Sequence, residues 1–264
     1  MSETAMSEMA EAVVRLGQVA LAFGRVDRIT RHEDGITPES DTDHTVMLGL
    51  VACALAQQWF PQLDRGLVAQ FALVHDLVEV FAGDTPTITI DAAGAADKRR
   101  RETQAAQRLR EFTGTLPWVP TMITRYEQRG APEARFVKVV DKLLPKITHL
   151  LNGGATLAQQ GITVDELAAS WAQQARDLDG YAGDFPQLLA LLEELVTTVA
   201  ACHREPAAGP QVVAGLAGLA DAGERACRVC GCTEDNACWP PCWWTGPDLC
   251  SACPAPAALS AGAR

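Results

Sequence analysis

Apolar positions over roughly the first two hundred residues recur at helical spacing. Between residues 10 and 23 they fall at Val13, Val14, Leu16, Val19, Ala20 and Phe23, which predicts a helix with one apolar face. Residues 30–43 are polar and carry Gly35 and Pro38, so a loop is expected there. A second helix is expected over 44–59, capped by Asp41, Thr42 or Asp43 and stopped by Pro61. Residues 67–81 are apolar nearly all round the helical circumference, the pattern of a helix central to a bundle, and Gly83-Asp84-Thr85-Pro86 ends it. The pattern over 88–94 fixes no conformation. A charged helix is expected over 97–112, and further helices over 117–129, 132–151, 164–179 and 185–203, with a kink at Pro145. No stretch sustains strand alternation, so the prediction is an all-α helical bundle over residues 8–203.

The pattern changes after that. Residues 204–224 are rich in Ala, Gly and Pro and predict a flexible linker. Of the nine cysteines, Cys53 and Cys202 stand apart and the other seven crowd between Cys227 and Cys253. Cys227-x2-Cys230 and Cys250-x2-Cys253, nineteen residues apart, are paired knuckles of the kind that hold zinc. A small cysteine-rich, zinc-stabilised module is therefore expected over 225–254, with Cys227, Cys230, Cys250 and Cys253 as ligands. Cys232, Cys238 and Cys242 are left to substitute as ligands, hold a second ion or make redox contacts. An iron–sulfur cluster and a disulfide knot are the competing readings. Trp239, Trp243 and Trp244 lie between the knuckles, to pack on the metal core or to face a protein partner or a base.

Charge narrows the function. Twenty-two basic residues against 33 acidic ones leave a net −11, which argues against a duplex nucleic-acid binder. A small anionic substrate stays compatible, because a bound cation and a few arginines invert the field locally. Neither an export signal nor a membrane-length apolar run is found, so a soluble cytoplasmic protein without a membrane partner is expected.

The chemistry-bearing residues sit in apolar surroundings. His75-Asp76 lies in Phe71-Ala72-Leu73-Val74-His75-Asp76-Leu77-Val78, and Asp141 follows Val137-Lys138-Val139-Val140. Charged groups on a mostly buried helix are costly unless compensated, and a metal ion compensates strongly. On a helix Glu79 shares a face with His75, whereas the adjacent His75 and Asp76 meet only in a wide site. Singly, His44 reads as a hydrogen-bonded core residue and His75-Asp76 as a chance pair. Together, two histidines and two aspartates suit one divalent ion: Mn, Co, Fe, Ni, Zn or Mg. Lys98-Arg99-Arg100-Arg101 is either a solvated helix face balanced by Glu102 or a rim that attracts anions.

The order His44, His75-Asp76, Glu79, Gly83-Asp84-Thr85-Pro86 and Asp141-Lys142 resembles the HD-domain metal-dependent phosphohydrolases, most of all their 5′-deoxynucleotidase branch, over residues 10–200. Lys98 with Glu102 and Ala105, and Glu133-Ala134-Arg135-Phe136-Val137-Lys138, add to the match. The resemblance implies that His44, His75, Asp76 and Asp141 hold the metal, which acidifies a bound water for attack on phosphorus. It implies Glu79 as general acid or base, Asp84 to orient water or touch the sugar, and Arg25 with Arg28 or Arg31 on the phosphate. Lys98 joins the substrate contacts. The implied reaction removes the 5′-phosphate of a deoxynucleoside monophosphate, a small-molecule nucleotide. A deoxynucleoside triphosphate triphosphohydrolase is the nearer rival, and a non-enzymatic zinc-bearing interaction protein the more distant one. The sequence departs from the branch at Arg25-Val26, where Arg-Trp is common, and over Glu39-Ser40-Asp41-Thr42-Asp43-His44-Thr45, where Glu-Ser-Val-Ala-Glu-His-Ser is usual; the resemblance implies that these differences bear on substrate selection. A homodimer is also implied, and the apolar face over 185–199 serves either as core or as its interface.

Overall fold

The computed structural model describes residues 2–85, 88, 90–114, 116–204, 227–230, 232, 238, 242–246 and 249–253. The expected linker falls almost wholly outside these residues, as do Pro86 and Trp239. The chain divides into two compact units, Met1–Pro210 and Gln211–Arg264.

The first unit is a helical bundle carrying one short ribbon. Its elements are α1 (Glu3–Phe23), β1 (Asp27–Arg31), β2 (Pro38–Ser40), α2 (Asp41–Trp59), α3 (Arg65–Val74), α4 (Glu79–Ala82), α5 (Ala92–Thr113), α6 (Trp118–Glu127), α7 (Pro132–Leu151), α8 (Ala155–Gln159), α9 (Val164–Ala182) and α10 (Pro186–Arg204). The helix α2 packs on α3 and α7, and α7 packs on α10. Leu48, Ala52, Val68, Phe71, Phe136, Val140 and Leu144 are fully buried where these helices meet. Phe60, Phe136 and Phe185 meet edge to face at 5.2–5.6 Å, a favourable arrangement of ring quadrupoles. Leu188, Leu192 and Val199 of α10 are buried, so the apolar face over 185–199 is core. Among the described residues no helix is long and apolar enough to cross a membrane.

The structure corrects the sequence reading in five places. The expected loop over 30–43 is largely an antiparallel ribbon, β1 with β2. Its turn is built by Asp34, whose carboxylate accepts from Ile36 N at 2.7 Å and Thr37 N at 2.9 Å, and by Gly35 at φ 68°. The cap of α2 is Ser40 rather than a following residue: Ser40 and Asp43 form a reciprocal capping box, so α2 starts at Asp41. The expected helix over 67–81 breaks after Val74. Leu77 N bonds Val74 O at 3.2 Å and Glu79 N bonds Asp76 O at 2.8 Å, three-residue bonds that tighten the turn before α4. Finally, α1 begins seven residues earlier than the apolar stripe, at Glu3, capped by Ser2; α8 was not expected at all.

In the second unit Trp244–Gly246 (β3) and Leu249–Cys250 (β4) pair antiparallel. Cys227, Cys232 and Cys250 are its buried residues among those described.

Candidate metal centre

Three helical segments converge on one point. The capping box fixes the first turn of α2, which carries Asp41 and, three residues on, His44. The tightened turn after α3 presents His75 and Asp76, and α7 presents Asp141 from an otherwise apolar stretch. His44 Nε2 lies 3.0 Å from Asp141 Oδ1. His75 Nε2 lies 3.0 Å from Asp76 Oδ2 and 3.9 Å from Asp141 Oδ1. The sequence neighbours His75 and Asp76 thus do share one site, because the backbone there is a turn and not a regular helix.

One ligand atom from each of His44, His75, Asp76 and Asp141 lies within 4.8 Å of the others. Opposed ligands on an ion with bonds of about 2.1 Å stand about 4.2 Å apart, so a slight contraction suffices to grip one. A cation fits the donor chemistry. His75 Nδ1 donates to the Ala72 carbonyl at 2.8 Å, which leaves a lone pair on Nε2 of the neutral ring. That nitrogen is buried without a hydrogen-bond partner, although two carboxylate oxygens stand in front of it. An imidazole nitrogen and two carboxylate oxygens turned on one point form a donor set that suits a cation.

The surrounding charges set the protonation states. Burial pushes the Asp141 carboxyl up, but Lys142 at 3.0 Å, Lys138 at 3.2 Å and His44 hold it well below the usual carboxylate range. Burial works against charge on His44, and Asp141 and Glu39 outweigh it to raise its pKa. Glu79 is pushed up to about 10 by burial and by the carboxylates of Asp76, Asp41 and Asp84. Burial likewise raises Asp41 to about 6 against the pull of Arg28. Six carboxyl groups, Glu39, Asp41, Asp76, Glu79, Asp84 and Asp141, crowd with Arg28, Lys98, Lys138 and Lys142 around the point of convergence; without an ion a raised pKa at Glu79 relieves part of their repulsion, and a dication would relieve it directly.

A cavity of about 790 Å³ opens onto this cluster, a size suited to a small molecule. Arg28, Asp84 and Lys98 line it together with His75, Asp76, Glu79 and Asp141. Arg28 Nη1 donates to Asp41 at 2.9 Å and to Asp76 at 3.1 Å. Lys98 Nζ lies 3.5 Å from Glu79 and 3.3 Å from Glu102, so it belongs to the site and not only to a solvated face. Arg25 is exposed just after α1 and is not among the lining residues; Arg31 is also absent from the lining and donates to the Ile36 carbonyl at 3.1 Å. His149, Trp171, Gln174 and the buried Lys146 line a farther part of the cavity.

Sequence reasoning missed several supports. Glu39 Oε1 stands 3.4 Å from His44 Nδ1, the ring nitrogen turned away from the cluster, and Thr30 Oγ1 donates to the other Glu39 oxygen. Asp41, expected as a cap or as part of the stretch that selects substrate, is fully buried and anchors Arg28. Glu39 matches the branch's Glu before the first ligand, but its place behind the ring shows only once the ribbon folds it back. Lys138 and Lys142 carried a readable one, since both flank Asp141 on an apolar helix.

In the second unit the thiols of Cys227, Cys230, Cys250 and Cys253 come within 4.8 Å of one another, and so do those of Cys230, Cys232, Cys238 and Cys250. The first group is the set expected from the knuckles.

The family model for the HD domain matches residues 24–178. The human 5′-deoxynucleotidase HDDC2 is 26% identical over 180 residues, 64% of this chain and 78% of that protein. The 5′-deoxynucleotidase hdd1 of Schizosaccharomyces pombe is 30% identical over 112 residues, 40% of this chain and 54% of that protein. The crystal structure of a predicted metal-dependent phosphohydrolase from Magnetospirillum magnetotacticum MS-1 has the same fold, with a TM-score of 0.60 at 24% identity over 74% of this chain and 96% of that one. The family match spans every candidate ligand from His44 to Asp141 and more than half of the sequence, and the chain belongs to the HD domain family.

Proposed function

We propose that the chain is a metal-dependent phosphohydrolase that removes the 5′-phosphate from deoxynucleoside monophosphates. His44, His75, Asp76 and Asp141 would hold one divalent ion. When bound, such an ion supplies Lewis-acid stabilisation of a phosphoryl oxygen and acidifies water. The observation that carries the reading is the unpartnered, buried His75 Nε2 facing two carboxylates on the floor of a cavity walled by Arg28 and Lys98.

The protein's own groups supply the remainder. Arg28, held by Asp41, and Lys98, held by Glu102, put two cations beside the transferred phosphoryl group, where charge spreads over its oxygens. Glu79 carries its proton at neutral pH in the metal-free protein, with a pKa near 10. With an ion held by the four ligands the Glu79 pKa would fall toward the working range, and its carboxyl would pass a proton between water and the departing 5′-oxygen. Asp84, on the cavity wall, orients water or receives the sugar. The named relatives are 5′-deoxynucleotidases, and this is what favours a monophosphate substrate.

The triphosphohydrolase reading draws on Arg99, Arg110, Arg129, Lys142 and Lys146, which also line the cavity. Three of these are engaged: Lys142 faces Asp141 at 3.0 Å, Arg129 stacks on Tyr126 at 3.7 Å with Glu127 3.7 Å away, and Lys146 donates to Gln174. The monophosphate reading is therefore preferred. The test is product analysis over a panel of deoxynucleotides with Mn, Co and Mg added in turn. Inorganic phosphate from monophosphates is expected, with Glu79→Gln slower by about 10²- to 10⁴-fold at unchanged metal content. Tripolyphosphate from triphosphates would establish the rival reaction, and metal content without turnover the non-enzymatic one.

A further inference from the structure

The seven cysteines of the second unit are too many for one zinc ion, and their arrangement has a definite form. The two four-thiol groups are not separate. They overlap in Cys230 and Cys250, whose sulfurs stand 3.7 Å apart. Cys230 and Cys238 stand 3.6 Å apart. Disulfide sulfurs are about 2.05 Å apart, so neither pair is bonded. A tetrahedral site with Zn–S bonds of about 2.3 Å has sulfur–sulfur edges of about 3.8 Å. The observed separations are thus those of edges of a metal–thiolate tetrahedron, and the Cys230–Cys250 edge belongs to two tetrahedra at once.

We propose that this unit binds two zinc ions in one binuclear cluster bridged by the thiolates of Cys230 and Cys250. Cys227 and Cys253 complete the first ion; Cys232 and Cys238 complete the second. A single ion on the first set would leave the Cys238 thiol against a ligating sulfur and the buried Cys232 beside it with nothing to hold. Bridging also solves a charge problem. Six thiolates around two dications carry the same net −2 as four thiolates around one, so the second ion adds cross-links without adding charge. A unit this small, whose buried residues among those described are cysteines, depends on such cross-links for its fold. Cys242 belongs to neither set. Its sulfur accepts the Cys238 N–H at 3.4 Å and lies 3.7 Å from Cys232, but it joins neither group of four mutually close thiols, and it is assigned as an outer support. Cys250 N donates to Cys227 Sγ at 3.5 Å, the kind of bond that steadies a thiolate.

The inference stands apart from the phosphohydrolase reading and survives its failure. It is tested on the full-length protein exchanged with ¹¹³Cd and followed by cadmium NMR. Two all-sulfur signals that split one another through the shared thiolates are expected, distinct from any signal of an ion held by histidine and carboxylate. One all-sulfur signal, two signals without mutual splitting, or acid-labile sulfide in the purified protein would each overturn the proposal. Native mass spectrometry of zinc-loaded variants gives a second reading. Cys238→Ser and Cys253→Ser are each expected to lose one ion per chain, and Cys242→Ser to keep both; loss of an ion from Cys242→Ser would remove Cys238 or Cys232 from the ligand set. A variant that fails to fold leaves the wild-type spectrum to decide.

Discussion

His44 shows how a ligand is made by what lies behind it. One ring nitrogen faces Asp141 at 3.0 Å and the other faces Glu39 at 3.4 Å. A carboxylate behind a ligating imidazole fixes its orientation and raises its basicity, and losing it typically weakens metal binding about 10- to 100-fold. Glu39→Gln is therefore expected to raise the Kd for Mn or Co by that factor, with kcat recovering at saturating metal; calorimetric titration beside steady-state kinetics separates the two effects. A change in kcat that excess metal does not restore would mean that Glu39 acts on substrate. Lys146 offers the opposite case, a charge with too little support. It is buried, its ammonium donates to Gln174 and lies 5.8 Å from the Trp171 ring, and burial with Lys142 nearby lowers its pKa from 10.5 to about 7. Between those values the unfolded chain binds more protons than the fold, so the penalty is absent above pH 10.5 and grows as pH falls to 7. At about 1.4 kcal/mol per unit its ceiling is on the order of 5 kcal/mol. Lys146→Met is expected to unfold at higher urea concentration than wild type at pH 7, with the gap narrowing as pH rises and closing by about pH 10.5. A gap independent of pH would show that packing, not charge, separates them.

At the scale of elements, helices were legible because a buried stripe at period 3.6 writes itself into the sequence. The long helices α2, α5, α7, α9 and α10 all fall on expected segments, within a few residues at their ends. What was not legible was the backbone between them. The β1–β2 ribbon has a polar outer face and only five- and three-residue strands, too short for alternation to show. The break after Val74 hides inside an apolar run that looks uniformly helical, since tightened turns leave no mark in hydrophobicity. These two irregular pieces matter most to the candidate site: one brings Glu39, Asp41 and Arg28 to it, and the other lets His75 and Asp76 converge. The motif therefore named the candidate ligands that the fold brings together, while the layer behind them stayed invisible. The junction of ribbon and α2 is a testable hinge of the site. Ser40 accepts from Asp43 N at 3.2 Å while Asp43 accepts from Ser40 N at 2.9 Å, and two residues of the next turn, Asp41 and His44, point inward. Ser40→Ala removes half of the box and is expected to cost about 1 kcal/mol in urea unfolding of the metal-free protein. Because the same turn carries His44, a weaker metal affinity should accompany it. Unchanged affinity beside the loss of stability would show that packing against α3 and α7 alone holds the turn.

For the molecule as a whole, the two candidate metal sites differ in kind, and the difference predicts how they part. The helical unit offers two imidazoles and two carboxylates at the foot of an open cavity, so an ion there keeps positions free for exchange. The cysteine unit offers only sulfur, with Cys227, Cys232 and Cys250 buried, so every position on its ions is filled by the protein. A chelator in solution reaches the first ion through its open positions and must displace a thiolate to reach the second. Thiolate also prefers zinc, whereas nitrogen and oxygen donors accept a wider range of divalent ions. Brief treatment with EDTA is accordingly expected to abolish phosphate release while the cysteines remain shielded from an alkylating reagent, and added Mn should restore turnover without touching them. Simultaneous loss of activity and of thiol protection would mean that the cysteine unit also governs the helical site. Activity that persists after the helical site has been stripped of its ion would separate the hydrolysis from His44, His75, Asp76 and Asp141 altogether.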